Sequence, residues 1–280
     1  MIYKKIDLYE YFKIKKAGNE QGILTVYSRD NHYEVNLKRL YPCILLCPGG
    51  GYEYTSFREA EPIALKLLTN NIITFVLDYS CFKNGAYPTE FFEGYLALKY
   101  IKENASIYNI DIEKLGILGF SAGGHYAGLL SNNHLRDKFS EVTHDLPFFK
   151  FSALIYPVNY YNGEGSHKLS FENLTHSDEI IMSKLDLDSF INEKSPIGFF
   201  VTTYEDSVVG YKNTLRLIEK YSTVNIPFEV HIFNKGDHGM SLGNSEVYPV
   251  HALNESMHNF EKWFELFINF LRINGIDIND

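Results

Sequence analysis

An α/β fold, with a mostly parallel central sheet flanked by helices, is the class that this 280-residue sequence predicts. Three observations predict it. Short, continuously apolar runs recur along the chain, as expected for strands buried on both faces. Longer segments of helical period separate those runs. The intervals between runs are wide enough for the crossover helices that parallel strands require. The composition, 45% hydrophobic, 22% charged and 15% aromatic, is that of a globular chain and excludes disorder, collagen and coiled coil. A chain of this length holds a large core without disulfide or metal staples, and the order of its motifs assigns residues 1–280 to one domain.

The elements follow in order. Residues 1–40 are more polar, and Ile23-Leu24-Thr25-Val26-Tyr27 reads as a strand pairing antiparallel at the sheet edge. Cys43 to Cys47 and Ile72 to Leu77 are the first two buried strands. Between them Glu59 to Asn70 places Ile63, Ala64, Leu67 and Leu68 on one helical face, and Phe91, Phe92, Tyr95, Leu96 and Leu98 do the same in the next crossover. Leu115 to Phe120, Phe151 to Tyr156, Ile197 to Thr203 and Phe228 to Phe233 supply four more strands. Val158 to Ser195 separates two of these by far more than the usual two to six residues or so, and predicts a small cap insertion at 158–195 beside the carboxyl edge of the sheet. Within it, Ser177-Asp178-Glu179-Ile180-Ile181-Met182 reads as a capped helix start. His251 to Leu271 reads as one helix docking Leu253, Met257, Phe260, Phe264, Phe267, Ile268 and Leu271 on the core.

The net charge of −9, with no basic stripe, argues against nucleic acid or an anionic membrane as a partner. The odd number of cysteines, Cys43, Cys47 and Cys81, two of them inside an apolar run, reads as free thiols in a reducing compartment. The stretch Met1-Ile2-Tyr3-Lys4-Lys5-Ile6-Asp7 lacks the apolar core of a signal peptide, and no run is long enough to span a bilayer, so a cytoplasmic location is expected.

Gly119-Phe120-Ser121-Ala122-Gly123 satisfies G-x-S-x-G between an expected strand and an expected helix, the setting in which a tight turn aims a serine hydroxyl outward. Ala122 then offers its amide at a helix N-terminus, where it can stabilise a developing oxyanion. Cys47-Pro48-Gly49-Gly50-Gly51-Tyr52 follows the first buried strand, and three consecutive glycines there point to a backbone that approaches a ligand closely. The amide of Gly50 or Gly51 is the candidate second donor. A dinucleotide loop would need glycine where Tyr54 stands, and a phosphate-binding loop would need Gly-Lys-Ser/Thr.

A serine nucleophile needs a base oriented by a carboxylate. Gly236-Asp237-His238-Gly239 puts a histidine on a glycine-flanked loop after the last strand, and His238 is the expected base. The acid is expected just past the preceding strand, where Asp206 is preferred and Glu205 is its rival; Asp237 reads as a solvated loop residue. His125, one helical turn beyond Ser121, reads as structural, and His144, His167 and His231 lack comparable context. No zinc, paired-cysteine or EF-hand pattern appears, so no metal or other cofactor is expected.

These residues together resemble the α/β hydrolase superfamily, and more narrowly its small esterase branch of acetyl-xylan-esterase-like and sugar-ester hydrolases. Pro48-Gly49-Gly50-Gly51-Tyr52, Leu77-Asp78-Tyr79, Tyr87-Pro88, Gly119 to His125, Ser170-Phe171-Glu172-Asn173-Leu174, Asp206 to Val209, Pro227 to Phe233 and Gly236 to Gly239 carry the resemblance, over roughly residues 40–272. Pro48 occupies the place of the histidine in the common His-Gly-Gly-Gly loop, Ser80 that of a frequent arginine, and Gly210 that of a frequent proline. The resemblance implies Ser121 as nucleophile, His238 as base, Asp206 as its orienter, and amides of Gly50 or Gly51 and of Ala122 as the oxyanion hole. The expected function is a serine carboxylesterase that removes short acyl groups, acetyl from a carbohydrate among them, from a small-molecule ester. A small-peptide or aminoacyl serine peptidase is the alternative within enzymes, a noncatalytic binding module the alternative outside them, and homo-oligomerisation is left open.

Overall fold

The computed structural model describes residues 1–85 and 87–276. Eight strands of these residues form one sheet: β1 (Ile2–Asp7), β2 (Ile23–Ser28), β3 (Tyr41–Cys47), β4 (Ile73–Asp78), β5 (Ile110–Phe120), β6 (Phe151–Ile155), β7 (Ile197–Thr203) and β8 (Phe228–Phe233). Their order is β1-β2-β4-β3-β5-β6-β7-β8. The pairs β1/β2 and β2/β4 are antiparallel, and every other pair is parallel. The expected mostly parallel sheet is therefore present, with an antiparallel end.

Three expectations need correction. The strand at Ile23–Ser28 is interior, because β1 covers it. Only Ile6 of β1 is fully buried while Tyr3, Lys4 and Lys5 face water, so this strand carries no continuous apolar run. The helix expected from Glu59 begins at Glu61, with Pro62 in its first turn; the preceding Phe57–Glu59 is a short 3₁₀ turn. The C-terminal helix is two, Glu255–Phe260 and Trp263–Ile273. Between them the ladder tightens to a Phe264 N–H bond on the Glu261 carbonyl, and Asn254, whose side chain accepts from Met257 N–H, sets the start.

Helices cover both faces. On one face the helices Thr89–Glu103, Ser121–Ser131 and Lys212–Thr223 pack Phe91, Tyr95, Tyr126, Leu130, Leu217 and Tyr221 against the strands. On the other, Ile63 and Leu67 of the helix Glu61–Thr69 join Trp263, Phe267 and Phe270. Cys43, Cys47 and Cys81 are free and buried. The segment between β6 and β7 contains the helices Lys168–Thr175 and Glu179–Met182; Asp178 caps the latter by accepting from Ile181 N–H, and Phe171, Leu174, Met182 and Leu187 are buried in the same core as the first face. Among the described residues, no helix is long and apolar enough to cross a membrane.

Two acids of the helix Thr89–Glu103 are buried inside this core. Burial pushes the Glu90 carboxyl up to about 8 and the Glu93 carboxyl up to about 7. Glu93 accepts from Ser80 N–H and Ser80 O–H, both at 2.6 Å, and from Tyr9 O–H at 3.1 Å, whereas Glu90 Oε1 has no hydrogen-bond partner. The folded state therefore holds these protons to higher pH than the unfolded chain does. Stability from this source is full below about pH 4.3, the ordinary glutamate value, and is lost as pH rises through 7 and 8. Melting temperature should fall between pH 5.5 and 8.5, and Glu90→Gln should reduce that fall. An equal fall in both proteins would show that Glu90 does not contribute to it.

Candidate active site

The carboxyl ends of the parallel strands meet at one edge, and the loops that leave β3, β5, β7 and β8 there carry the candidate residues. β5 ends at Phe120, and the helix Ser121–Ser131 begins at the next residue. Ser121 has φ +53°, the left-handed region that costs a residue with a Cβ about 1 kcal/mol or more. That turn packs directly on the loop after β3. A Cβ on Gly123 would lie 2.2 Å from the Cys47 carbonyl oxygen and 2.3 Å from that of Pro48, so only glycine lets the new helix reach the loop after β3.

Ser121 Oγ lies 2.7 Å from His238 Nε2, and His238 Nδ1 lies 2.7 Å from Asp206 Oδ2. A carboxylate only accepts, so Nδ1 carries the proton and Nε2 is the free base that receives the serine O–H. Asp206 is itself fixed: its Oδ1 accepts from Val208 N–H at 3.0 Å and Val209 N–H at 2.8 Å. Its side chain is 1% exposed, against 15% for that of His238. Glu205, the rival, is exposed and turned to Lys235 at 2.5 Å, whose ammonium holds its carboxyl below the usual range. Asp237 is exposed.

Gly50 has φ +124°, and a Cβ there would strike the Tyr54 carbonyl, so the turn requires glycine. The Gly49 carbonyl accepts from Ser56 N–H at 2.9 Å, and the Gly50 carbonyl from Glu53 N–H at 3.0 Å. In a trans peptide the N–H points opposite to the C=O, so the amides of Gly50 and Gly51 are directed away from this turn. Both glycines line one cavity with Ser121 and His238. Ala122 is fully buried in the first helical turn beside Ser121. Gly49 N–H is already engaged, donating to Glu59 Oε2 at 2.9 Å.

The cavity encloses about 220 Å³. Glu53, Arg58, Glu59, His167 and Asn173 give it polar walls, and Leu169 and Val208 apolar ones. Two of these residues have functional surroundings that sequence reading missed. His167 has no local context in the sequence, yet the segment between β6 and β7 brings its ring to the cavity, with Nδ1 2.8 Å from Ser170 Oγ; burial keeps its pKa below the ordinary value. From the same segment Asn173 donates to the Gly51 carbonyl at 2.9 Å, tying that segment to the glycine loop. Glu59, expected to open a helix, lies in the 3₁₀ turn Phe57–Glu59. Its side chain is buried at the site, and Tyr156 O–H donates to its Oε1 at 2.7 Å. His125 stands outside the relay as a buried link: Nε2 donates to the Leu185 carbonyl and Nδ1 accepts from Tyr52 O–H, at 2.7 and 2.8 Å, and burial lowers its pKa to about 4.

A family model described as BD-FAE matches residues 30–221. The chain is 30% identical over 220 residues to endo-1,4-beta-xylanase B of Butyrivibrio fibrisolvens, which aligns 74% of this chain with 33% of that protein. It is 25% identical over 203 residues to an acetylxylan esterase of Xylanibacter ruminicola, aligning 70% of this chain with 40% of the relative. The chain thus spans less than half the length of these relatives. Among solved structures, the acetyl ester-xyloside bifunctional hydrolase of Caldicellulosiruptor lactoaceticus superposes with a TM-score of 0.77 at 28% identity, over 91% of this chain and 89% of that one. With a family model that matches more than half of its residues, the chain belongs to the BD-FAE family, in the esterase branch of the α/β hydrolase superfamily.

Proposed function

We propose that this protein is a serine carboxylesterase that removes short acyl groups, acetyl from a carbohydrate in particular, through an acyl-enzyme. The observation that carries the reading is the continuous relay from Ser121 through His238 to Asp206, with 2.7 Å at each step. Ser121 Oγ attacks the ester carbonyl carbon while His238 Nε2 takes its proton. Asp206 holds the imidazole in the tautomer that can accept it and offsets the charge that forms. The carbonyl oxygen, now an oxyanion, is met by backbone amides of Ala122 and of Gly50 or Gly51. Collapse of the tetrahedral intermediate expels the alcohol, protonated by His238. Water then repeats the sequence on the acyl-serine and releases the acid.

The substrate class rests on the cavity. Its volume of about 220 Å³ lies below the roughly 300 to 1,000 Å³ of pockets for drug-sized ligands, which favours a short acyl group. Its polar walls favour a hydroxylated alcohol, and the acetylxylan esterase among the relatives agrees with that choice. A panel of acetyl, butyryl and octanoyl esters, acetylated xylo-oligosaccharides and aminoacyl amides tests the reading. The highest kcat/KM is expected for acetyl esters. A steep preference for octanoyl esters would contradict the short-acyl assignment, and faster cleavage of the amides would make the protein a peptidase.

A further inference from the structure

We infer that Glu59 is a positioning residue of this site: its buried carboxylate ties the glycine loop to the histidine loop, and its charge faces the imidazolium that forms when His238 takes the serine proton. The inference rests on the serine-hydrolase reading given above.

The tie is a chain of hydrogen bonds from one loop to the other. Gly49 N–H donates to Glu59 Oε2 at 2.9 Å, Tyr156 O–H to Glu59 Oε1 at 2.7 Å, and Ser241 N–H to the Tyr156 oxygen at 2.9 Å. Ser241 lies three residues past His238 and has φ +54°, a conformation that needs support from its surroundings. Its other groups are also held: Ser241 Oγ donates to the Arg58 carbonyl at 2.5 Å, and the Ser241 carbonyl accepts from Trp263 Nε1 at 2.8 Å. The Tyr156 ring packs edge-on against the His238 imidazole, with centroids 4.9 Å apart. One side chain therefore engages the loop that presents Gly50 and Gly51 and, through Tyr156, both the ring and the loop of the base.

The chemistry of Glu59 fits an ionised group. Two donors point at its two oxygens, and a carboxylate accepts both at once. Burial raises its pKa, and the Tyr156 hydrogen bond, the His238 charge, the Gly49 amide and the Arg58 charge offset only part of that rise. Burial also pushes the Tyr156 hydroxyl far up, which keeps it a donor. A core position would be expected to hold an apolar side chain, because an isolated buried carboxylate is costly. The groups facing His238 are Asp206, Glu59, His167, Tyr156, Arg58 and Tyr248 beyond it, and the adjacent Asp237. Of these, Asp206 and Glu59 are the buried carboxyls.

The test compares the pH profiles of kcat and kcat/KM for acetyl ester hydrolysis by the wild type, Glu59→Gln and Tyr156→Phe, each first shown to melt cooperatively. Glu59→Gln should lower kcat by about 10- to 100-fold with KM within about twofold, the pattern of an interaction made mainly in the transition state. It should also move the acid limb of kcat/KM to lower pH, because the imidazolium loses a facing negative charge. Tyr156→Phe breaks the tie while leaving the Glu59 carboxyl in place, so kcat should fall with KM unchanged. Wild-type kcat and an unmoved limb in folded Glu59→Gln would overturn the inference. If Glu59→Gln does not fold, wild-type kcat in Tyr156→Phe overturns it, and a loss of kcat at unchanged KM supports it. Normal turnover by Ser121→Ala would instead remove the serine reading itself, a distinct outcome.

Discussion

Ser121→Ala is expected to lower kcat on acetyl esters by about 10⁴ to 10⁶ with little change in melting temperature. The size follows from the proposed role: without Oγ no acyl-enzyme forms, and only binding and the amide donors remain to act on a water molecule. The small stability effect follows from the contacts. Ser121 Oγ is hydrogen-bonded to His238 Nε2 at the cavity wall, so its removal leaves no buried donor or acceptor stranded in the core. Alanine has a Cβ like serine, so the strained φ of +53° is unchanged by the substitution. Steady-state kinetics with a melting curve check both parts. Wild-type kcat would exclude Ser121 as the nucleophile.

Asp206→Asn is expected to cost about 10⁴ in kcat, whereas Glu205→Gln should stay within about threefold. Asp206 Oδ2 accepts from His238 Nδ1, and asparagine there can present an N–H instead. The imidazole would then carry its proton on Nε2, where it cannot receive the serine proton. Glu205 engages Lys235 at the surface, and exposed pairs of this kind contribute little. The reverse order of damage in kcat would assign the acid to Glu205.

The contrast between these two carboxylates shows what was legible in the sequence. The loop after β7 was recognisable because an apolar run ends there, at Thr203. The sequence favours Asp206 of the two adjacent carboxylates, but what turns it inward, the amides of Val208 and Val209 closing on Asp206 Oδ1, left no mark there. The inner parallel strands β3, β4, β6 and β7 were legible because burial on both faces makes their sequences apolar, whereas β8, at the sheet edge, has no fully buried residue. β1 was not, because it is an edge strand exposed on both faces at Tyr3, Lys4 and Lys5, with only Ile6 buried. G-x-S-x-G was legible because its glycines answer local demands of chain geometry, as the approach of Gly123 to the Cys47 and Pro48 carbonyls shows. Glu59 and His167 gave no such local signal. Glu59 meets partners at positions 49 and 156, and His167 reaches the cavity only through the packing of the segment between β6 and β7. Long-range contacts of single polar side chains leave no periodicity or turn signature to read.

The aromatic content is also placed. Most of the large buried rings fill the two faces of the sheet, among them Tyr95, Tyr126, Phe91, Phe151 and Trp263. Tyr156 does something further, since it packs on His238 and joins Glu59 to Ser241.

The central claim, that Ser121 is a nucleophile activated by His238, is tested most directly by intact mass after treatment with a fluorophosphonate. The wild type should gain one adduct, located on Ser121 by peptide mapping, and Ser121→Ala should gain none. A wild type that stays unmodified, or an adduct that persists in Ser121→Ala, would contradict the account.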